Sequence, residues 1–193
     1  MATEVEMKAW VTDRETVRAR LEQECSFERE FLKEDVYYLI PGGEAARTDD
    51  APQHDRLRFR VRRDGEHAVC TYKDKSFRSG GEVNEEREFA VSDQAVFEQF
   101  LLRIGCEEYV RKTKRGVVYQ CSDVHAELSH VSGLGDFLEV EQIVEPRSDE
   151  QEGDARDRVA EAEASVRALM ERLGVASGAI EPRPYTQLLR EGV

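Results

Sequence analysis

The stretch Glu4-Val5-Glu6-Met7-Lys8-Ala9-Trp10-Val11 alternates polar and apolar side chains almost without exception. Successive side chains of a β-strand point to opposite faces, so Glu4, Glu6 and Lys8 share one face and an apolar face lies behind them. Neighbours on one face are about 7 Å apart, so both carboxylates could reach one hydrated divalent cation while the lysine holds a phosphate beside it. A solvated strand face is the alternative interpretation, and recurrence of the pattern favours a site.

The same alternation recurs along the chain, and each recurrence predicts a further strand. These strands are predicted at 56–62, 68–75, 83–91, 107–115, 117–122, 124–131 and 137–144, with one or two extended pieces within 27–40 and a loop at 43–55. Their polar faces carry the acids Glu86, Glu88, Glu127, Glu139 and Glu141 and the bases Arg58, Arg60, Lys73, Lys112 and Lys114.

Three segments have the 3.6-residue apolar spacing of amphipathic helices. A capping box at 12–15 begins the first helix, Ser92 caps the second, and the third runs from about 154 to 173. These helices need an apolar sheet face to pack on, so the charged faces point the other way. About eight strands can close on themselves. We therefore predict an α+β fold, an eight-stranded antiparallel β-barrel with helices packed outside and charged side chains inside.

The domain boundaries follow from this arrangement. Residues 1–145 are predicted to form the tunnel domain, and residues 146–193 an acidic linker, a helix and a tail packed on the barrel. A homodimer face is the alternative role for that helix.

Bulk composition excludes several function classes. The net charge of −13 repels nucleic acid and anionic membranes. The apolar runs are too short to span a membrane, and no secretory segment precedes the first strand, so a cytoplasmic location is expected. The four cysteines, Cys25, Cys70, Cys106 and Cys121, have no metal-site spacing and are expected to be reduced packing residues.

A barrel interior lined by both acids and bases favours one kind of ligand, a polyphosphate with a divalent metal. Lys and Arg neutralise phosphate oxygens, and glutamates offer the hard oxygen ligands that Mg²⁺ or Mn²⁺ prefers. Phosphoryl transfer needs mainly positioning and charge neutralisation, so no protein nucleophile is required. The expected partner is a small-molecule triphosphate.

The motifs also resemble a known family, the CYTH proteins or triphosphate tunnel metalloenzymes. Residues 4–8 are similar to its ExExK signature, and residues 133–141 are similar to its GLGxFxExE segment. Between them, residues 57–60 resemble LRxR, residues 71–73 TYK, residues 86–88 ExE and residues 112–114 KxR. The tail at 184–189 is similar to the SYxxLL ending of members labelled class IV adenylate cyclase.

The resemblance implies an eight-stranded tunnel and a role for each matching residue. It implies Glu4, Glu6, Glu139 and Glu141 as metal ligands, Glu86 and Glu88 as further ligands or orienting groups, and Lys8, Arg58, Arg60, Lys73, Lys112 and Lys114 as phosphate-binding residues, with Lys8, Lys73 and Lys112 catalytic. Glu127, two residues before Ser129 on the same face, is a further candidate ligand or orienting group that could substitute for the Asp of the family.

The implied reaction is that of a class IV adenylate cyclase, which converts ATP to cyclic AMP and pyrophosphate. The alternative is a triphosphatase acting on thiamine triphosphate, a nucleoside triphosphate or tripolyphosphate, and a further alternative is a module that binds polyphosphate or nucleotide without turnover. Three departures bear on this choice: Asn84 and Lys114 stand where the family often has Arg, and Ser129 stands where it has Asp.

Overall fold

The computed structural model describes residues 3–40, 58–78, 81–147 and 152–192. The strands are β1 (Thr3–Trp10), β2 (Ser26–Leu39), β3 (Arg58–Asp64), β4 (His67–Arg78), β5 (Gly81–Val91), β6 (Glu107–Cys121), β7 (Val124–Val131) and β8 (Gly135–Val144), and the helices are α1 (Arg14–Glu24), α2 (Gln94–Arg103), α3 (Glu152–Arg172) and α4 (Tyr185–Glu191). The predicted α+β class is confirmed. The predicted loop at 43–55 lies outside the described residues.

All eight strands belong to one sheet in the order β1-β8-β7-β6-β2-β3-β4-β5. Each pairing whose register is resolved is antiparallel. Over the described ranges, β1 and β5 are the two edges and do not pair with each other, so the prediction of a closed barrel was wrong. Helices that cover one apolar face can pack on an open sheet as well as on a barrel, and eight strands do not by themselves require the sheet to close.

Strand β6 is a single 15-residue strand where the sequence predicted two. Gly116 interrupts the apolar alternation, so the sequence predicts a break at this position. A Cβ atom at this position would lie only 2.4 Å from the carbonyl oxygen of Leu128 and 2.7 Å from the Cα atom of Ser129. Gly116 is therefore a close-packing position inside the strand.

Helices α1 and α2 each begin one residue later than their predicted caps. Asp13 caps α1, and its carboxylate accepts hydrogen bonds from the backbone N–H of Thr16 at 3.0 Å and from the Thr16 hydroxyl. Asp93 caps α2 in the same way through the N–H of Val96. In both places a carboxylate follows the predicted hydroxyl residue, and both types are strong N-caps.

Residues Met1–Phe31 and Lys114–Val193 form one compact unit. Its core is the apolar face of β1, β6, β7 and β8, with Val17 and Leu21 of α1 packed on it. The predicted stripe of α3 is confirmed, since Ala162, Val166, Leu169, Met170 and Leu173 are all buried. Helix α3 thus covers the sheet, as expected.

A disulfide in this unit joins Cys25, directly after α1, to Cys121 at the end of β6. The expectation that all four cysteines are reduced was wrong for this pair. Spacing along the chain gave no signal, because the two residues are 96 positions apart and only the fold brings their Cα atoms to 4.5 Å. Cys70 and Cys106 are free and buried, as expected.

Residues Leu32–Thr113 form the second compact unit. Its core includes Tyr38, Val61 and Leu101, the last contributed by α2. Only part of the apolar stripe of α2 is buried, because Val96 and Phe100 are exposed. No helix in the described segments is long and apolar enough to cross a membrane.

Candidate functional site

Three carboxylates of the first unit form a compact acidic group on the face of the sheet opposite the helices. Glu6 of β1 pairs directly with Glu141 of β8, and Glu4 lies two residues away on the same face. One carboxylate oxygen from each residue lies within 4.8 Å of the other two. Oxygen ligands at such spacing fit a hard divalent cation.

The electrostatics of this acidic group are unfavourable while its members are all ionised. Burial, followed by the hydrogen bond that protonated Glu141 donates to Glu4 and by the Glu4 charge, raises the pKa of Glu141 to about 7. Burial and the nearby Glu4 carboxylate also raise the pKa of Glu6. Crowded carboxylates of this kind gain most from a cation that replaces the shared protons.

Lys114 connects the acidic group to the neighbouring strands. Its ammonium forms ion pairs with both Glu127 of β7 and Glu139 of β8. These two glutamates are direct partners across the β7–β8 pairing. Glu139 therefore lies on the predicted face, but the structure pairs it with Lys114 and places it outside the group of three carboxylates.

Lys8 contacts the C-terminal tail. Its ammonium donates a hydrogen bond to the carbonyl oxygen of Arg183 and lies 4.3 Å from the ring centroid of Tyr185. The ring of Tyr185 also lies 5.7 Å from the Lys114 ammonium. Burial and the charges of Glu6 and Glu127 raise the pKa of the Tyr185 hydroxyl well above its usual value. The tail therefore contributes directly to this charged face.

Trp10 of β1 packs against Phe137 of β8. Its ring centroid lies 4.2 Å from that of Phe137, and its indole N–H donates to the carboxylate of Glu181 at 3.1 Å. Tyr37 of β2 is half-buried, with the Lys112 ammonium 5.9 Å from its ring centroid.

The second unit holds a buried carboxylate between two bases. Asp35 of β2 is the direct partner of Arg62 in β3. It accepts hydrogen bonds from Arg62 Nε at 2.7 Å and Nη2 at 3.0 Å, and its Oδ2 lies 2.9 Å from Lys112 Nζ. Burial alone would raise the pKa of Asp35, but the hydrogen bonds from Arg62 and the Lys112 charge outweigh it and hold that pKa far below its usual value.

Arg60, another predicted phosphate-binding residue, is oriented by a short chain of polar contacts. Its Nη2 donates to the Thr71 hydroxyl at 3.1 Å, and that hydroxyl donates to Glu88 at 2.6 Å. Within the described residues the buried Arg60 Nε has no hydrogen-bond partner. A buried donor without a partner is costly, and an anion would satisfy it. Glu88 lies at the end of this chain of contacts, and its role as a metal ligand or an orienting group stays a prediction.

Strand register places the remaining predicted residues by their backbones. Lys73 of β4 is the direct partner of Glu86 in β5, and Arg58 is the partner of Leu39. Lys73 and Glu86 are thus cross-strand neighbours in the β4–β5 register.

Within each unit, the predicted residues largely lie together. In the first unit these are Glu4, Glu6, Lys8, Lys114, Glu127, Glu139 and Glu141, and in the second Arg60, Glu88 and Lys112. Two buried residues were missed, Asp35 and Tyr185. Alternation along β2 puts Asp35 opposite the buried Val36 and Tyr38, but its pairing with Arg62 depends on a register that a single strand does not reveal.

Comparison with known proteins gives a consistent result. The family model described as the CYTH domain matches residues 2–185. A Methanocaldococcus jannaschii protein named "putative adenylate cyclase" is 27% identical over 142 residues, covering 73% of this chain and 77% of that protein.

Two solved structures from Pyrococcus horikoshii are also similar. The PH1819 protein is 27% identical with a TM-score of 0.72, covering 99% of this chain and 100% of its own. The PH1012 protein is 25% identical with a TM-score of 0.71, covering 97% and 99%. The similarity therefore extends over nearly the whole of each chain.

Proposed function

Because the chain belongs to the CYTH domain family, we propose that it is a metal-dependent enzyme acting on a small-molecule triphosphate, with Mg²⁺ or Mn²⁺ as its cofactor. The observation that carries the proposal is the group formed by Glu4, Glu6 and Glu141, whose carboxylate oxygens lie within 4.8 Å of one another. Lysines on the same strand face supply positive charge for phosphate oxygens, beside the hard oxygen ligands for a cation.

The three grouped glutamates are the proposed metal ligands. Glu139 is the proposed fourth ligand: a phosphate that binds Lys114 would replace the Glu139 carboxylate there and leave it available to the metal. When bound, the cation held by these glutamates would supply Lewis-acid neutralisation of the phosphate charge. Lys8 and Lys114 are proposed to bind the same phosphates as ammonium point charges. In the second unit, Arg60 offers its Nε–H as a hydrogen-bond donor to phosphate. Lys112 is the proposed catalytic residue whose ammonium neutralises the negative charge that develops in the reaction.

The first candidate reaction is that of an adenylate cyclase, supported by the name of the Methanocaldococcus relative. The ribose 3′-oxygen would form a bond to the α-phosphorus of ATP as the bond to the pyrophosphate oxygen breaks, and the 3′ proton would leave to solvent. The chain's bases would hold the triphosphate in line for this attack and neutralise the departing pyrophosphate. Tyr37 is the proposed stacking surface for the adenine ring.

The second candidate is a triphosphatase, in which a water oxygen forms a bond to the terminal phosphorus as the bond to the bridging oxygen breaks. The diphosphate is the leaving group, and orthophosphate is the other product. The packing of Trp10 on Phe137 favours it, because an aromatic side chain that could have stacked on a nucleotide base already contacts another ring. The remaining alternative, binding without turnover, is supported by Ser129, which is fully buried at the position where the family has an acidic residue.

A product assay by ³¹P NMR tests these proposals. ATP, thiamine triphosphate and tripolyphosphate would each be incubated with Mg²⁺, with Mn²⁺ and with chelator. We expect cyclic AMP and pyrophosphate from ATP with metal and no product with chelator. Orthophosphate plus a diphosphate would replace the cyclase by the triphosphatase, and binding without any product would contradict enzymatic activity.

A further inference from the structure

We propose that Asp35 is a positioning residue of the phosphate site, holding Lys112 and Arg62 in the arrangement that binds a triphosphate. This inference rests on the proposed function, and it concerns a residue that matches none of the motifs of the sequence. It is based on the contacts of three side chains within the second unit.

The carboxylate of Asp35 contacts both basic groups. Asp35 is only 1% exposed, and its two oxygens are both used: Oδ1 accepts from Arg62 Nε, and Oδ2 accepts from Arg62 Nη2 and lies 2.9 Å from Lys112 Nζ. A two-point contact fixes the plane of the guanidinium as well as its position. Asp35 therefore determines where both basic groups lie.

The buried ammonium of Lys112 needs a partner of opposite charge. The Lys112 side chain is 6% exposed, and a buried ammonium is unfavourable without a carboxylate or an equivalent acceptor. A flexible lysine stem would otherwise allow the charge to turn toward solvent. Asp35 keeps the charge at the sheet face, where Lys112 is proposed to meet phosphate.

Glu34, the residue before Asp35 on β2, forms a similar ion pair in a different environment. Glu34 forms a cross-strand ion pair with Arg63, one position along from the Asp35–Arg62 pair. Both members of that pair are solvent-exposed on the opposite face, with side chains 38% and 52% exposed. Glu34 therefore provides a matched control, because Glu34→Gln removes the same kind of pair without touching the proposed phosphate site.

The test is calorimetric titration of the full chain with inorganic tripolyphosphate in the presence of Mg²⁺. For Asp35→Asn we expect the dissociation constant to rise about 10- to 100-fold, the usual effect of removing a group that orients a ligand-binding residue. For Glu34→Gln we expect a change of less than about twofold. The number of sites titrated separates positioning from misfolding, because unfolded molecules lower that number and leave the dissociation constant of the folded ones unchanged.

A second variant, Asp35→Glu, covers the case in which Asp35→Asn does not fold. It retains the charge and displaces the carboxylate by one methylene, so we expect the dissociation constant to rise by at least about threefold. An unchanged dissociation constant in whichever Asp35 variant folds would overturn the inference and leave the proposed function intact. Failure of the wild-type chain to bind tripolyphosphate would overturn both.

Discussion

Glu6 is paired with Glu141 across the β1–β8 ladder, and its carboxylate belongs to the acidic group. Glu6→Gln removes one oxygen ligand and one negative charge. We expect turnover of the preferred triphosphate to fall about 100-fold, equivalent to about 3 kcal/mol of transition-state stabilisation. Electron paramagnetic resonance of bound Mn²⁺ would show the matching loss of metal affinity.

Glu163, an exposed residue of α3, supplies the control. Glu163→Gln changes the net charge equally and should leave both turnover and Mn²⁺ affinity within about twofold, as surface substitutions usually do. Equal effects of the two substitutions would contradict a metal site at Glu6.

Asp35 gives a pH prediction whose sign follows from its lowered pKa. Because the folded-state pKa lies below the unfolded value of 3.8, Asp35 stabilises the fold fully above pH 3.8 and loses this contribution as pH falls below it. At pH 6, Asp35→Asn should lower the free energy of unfolding by about 3–5 kcal/mol. The difference from wild type should shrink between pH 4 and pH 2, measured by urea unfolding, and a constant difference would contradict the ion pairs.

At the scale of elements, β6 depends on a glycine to lie close to β7. Gly116→Ala would place a Cβ atom 2.4 Å from a backbone oxygen that cannot move aside independently of its strand. We expect the free energy of unfolding to fall by about 1–3 kcal/mol or more, as measured by urea unfolding at constant pH.

The matched control is Gly153→Ala in α3, where nothing lies within 4 Å of the added Cβ. Alanine is the better helix former, so this substitution should be neutral or stabilise by up to about 1 kcal/mol. If Gly116→Ala were as well tolerated as Gly153→Ala, β6 and β7 would not be packed as described.

At the scale of the whole molecule, the Cys25–Cys121 disulfide closes a long segment of chain. A link between residues 96 positions apart restricts the unfolded ensemble strongly. We expect the double variant Cys25→Ser, Cys121→Ser to lose about 2–4 kcal/mol of unfolding free energy. Urea midpoints measured with and without reductant should differ for the wild type and coincide for the variant, and equal wild-type midpoints would contradict the link.

The sequence by itself determined most of the strands, the helices α1 to α3 and which residues share a face, because period-two and 3.6-residue alternation depend only on local geometry. The short helix α4 was not predicted. The sequence also predicted the acidic face of β1 and β8, since charged pairs spaced by two residues must lie side by side on a strand. The uninterrupted β6 was missed because a glycine required for close packing looks like a break when only one strand is seen.

Only the tertiary structure decided which faces meet and how they are paired. The Asp35–Arg62–Lys112 contact, the Lys8–Tyr185 contact and the disulfide each join residues that are far apart in the chain. The separation of Glu139 from the three grouped carboxylates likewise depends on Lys114, which comes from another strand. Local periodicity fixes the side of a strand on which a residue lies, but strand register and long-range packing choose its partner.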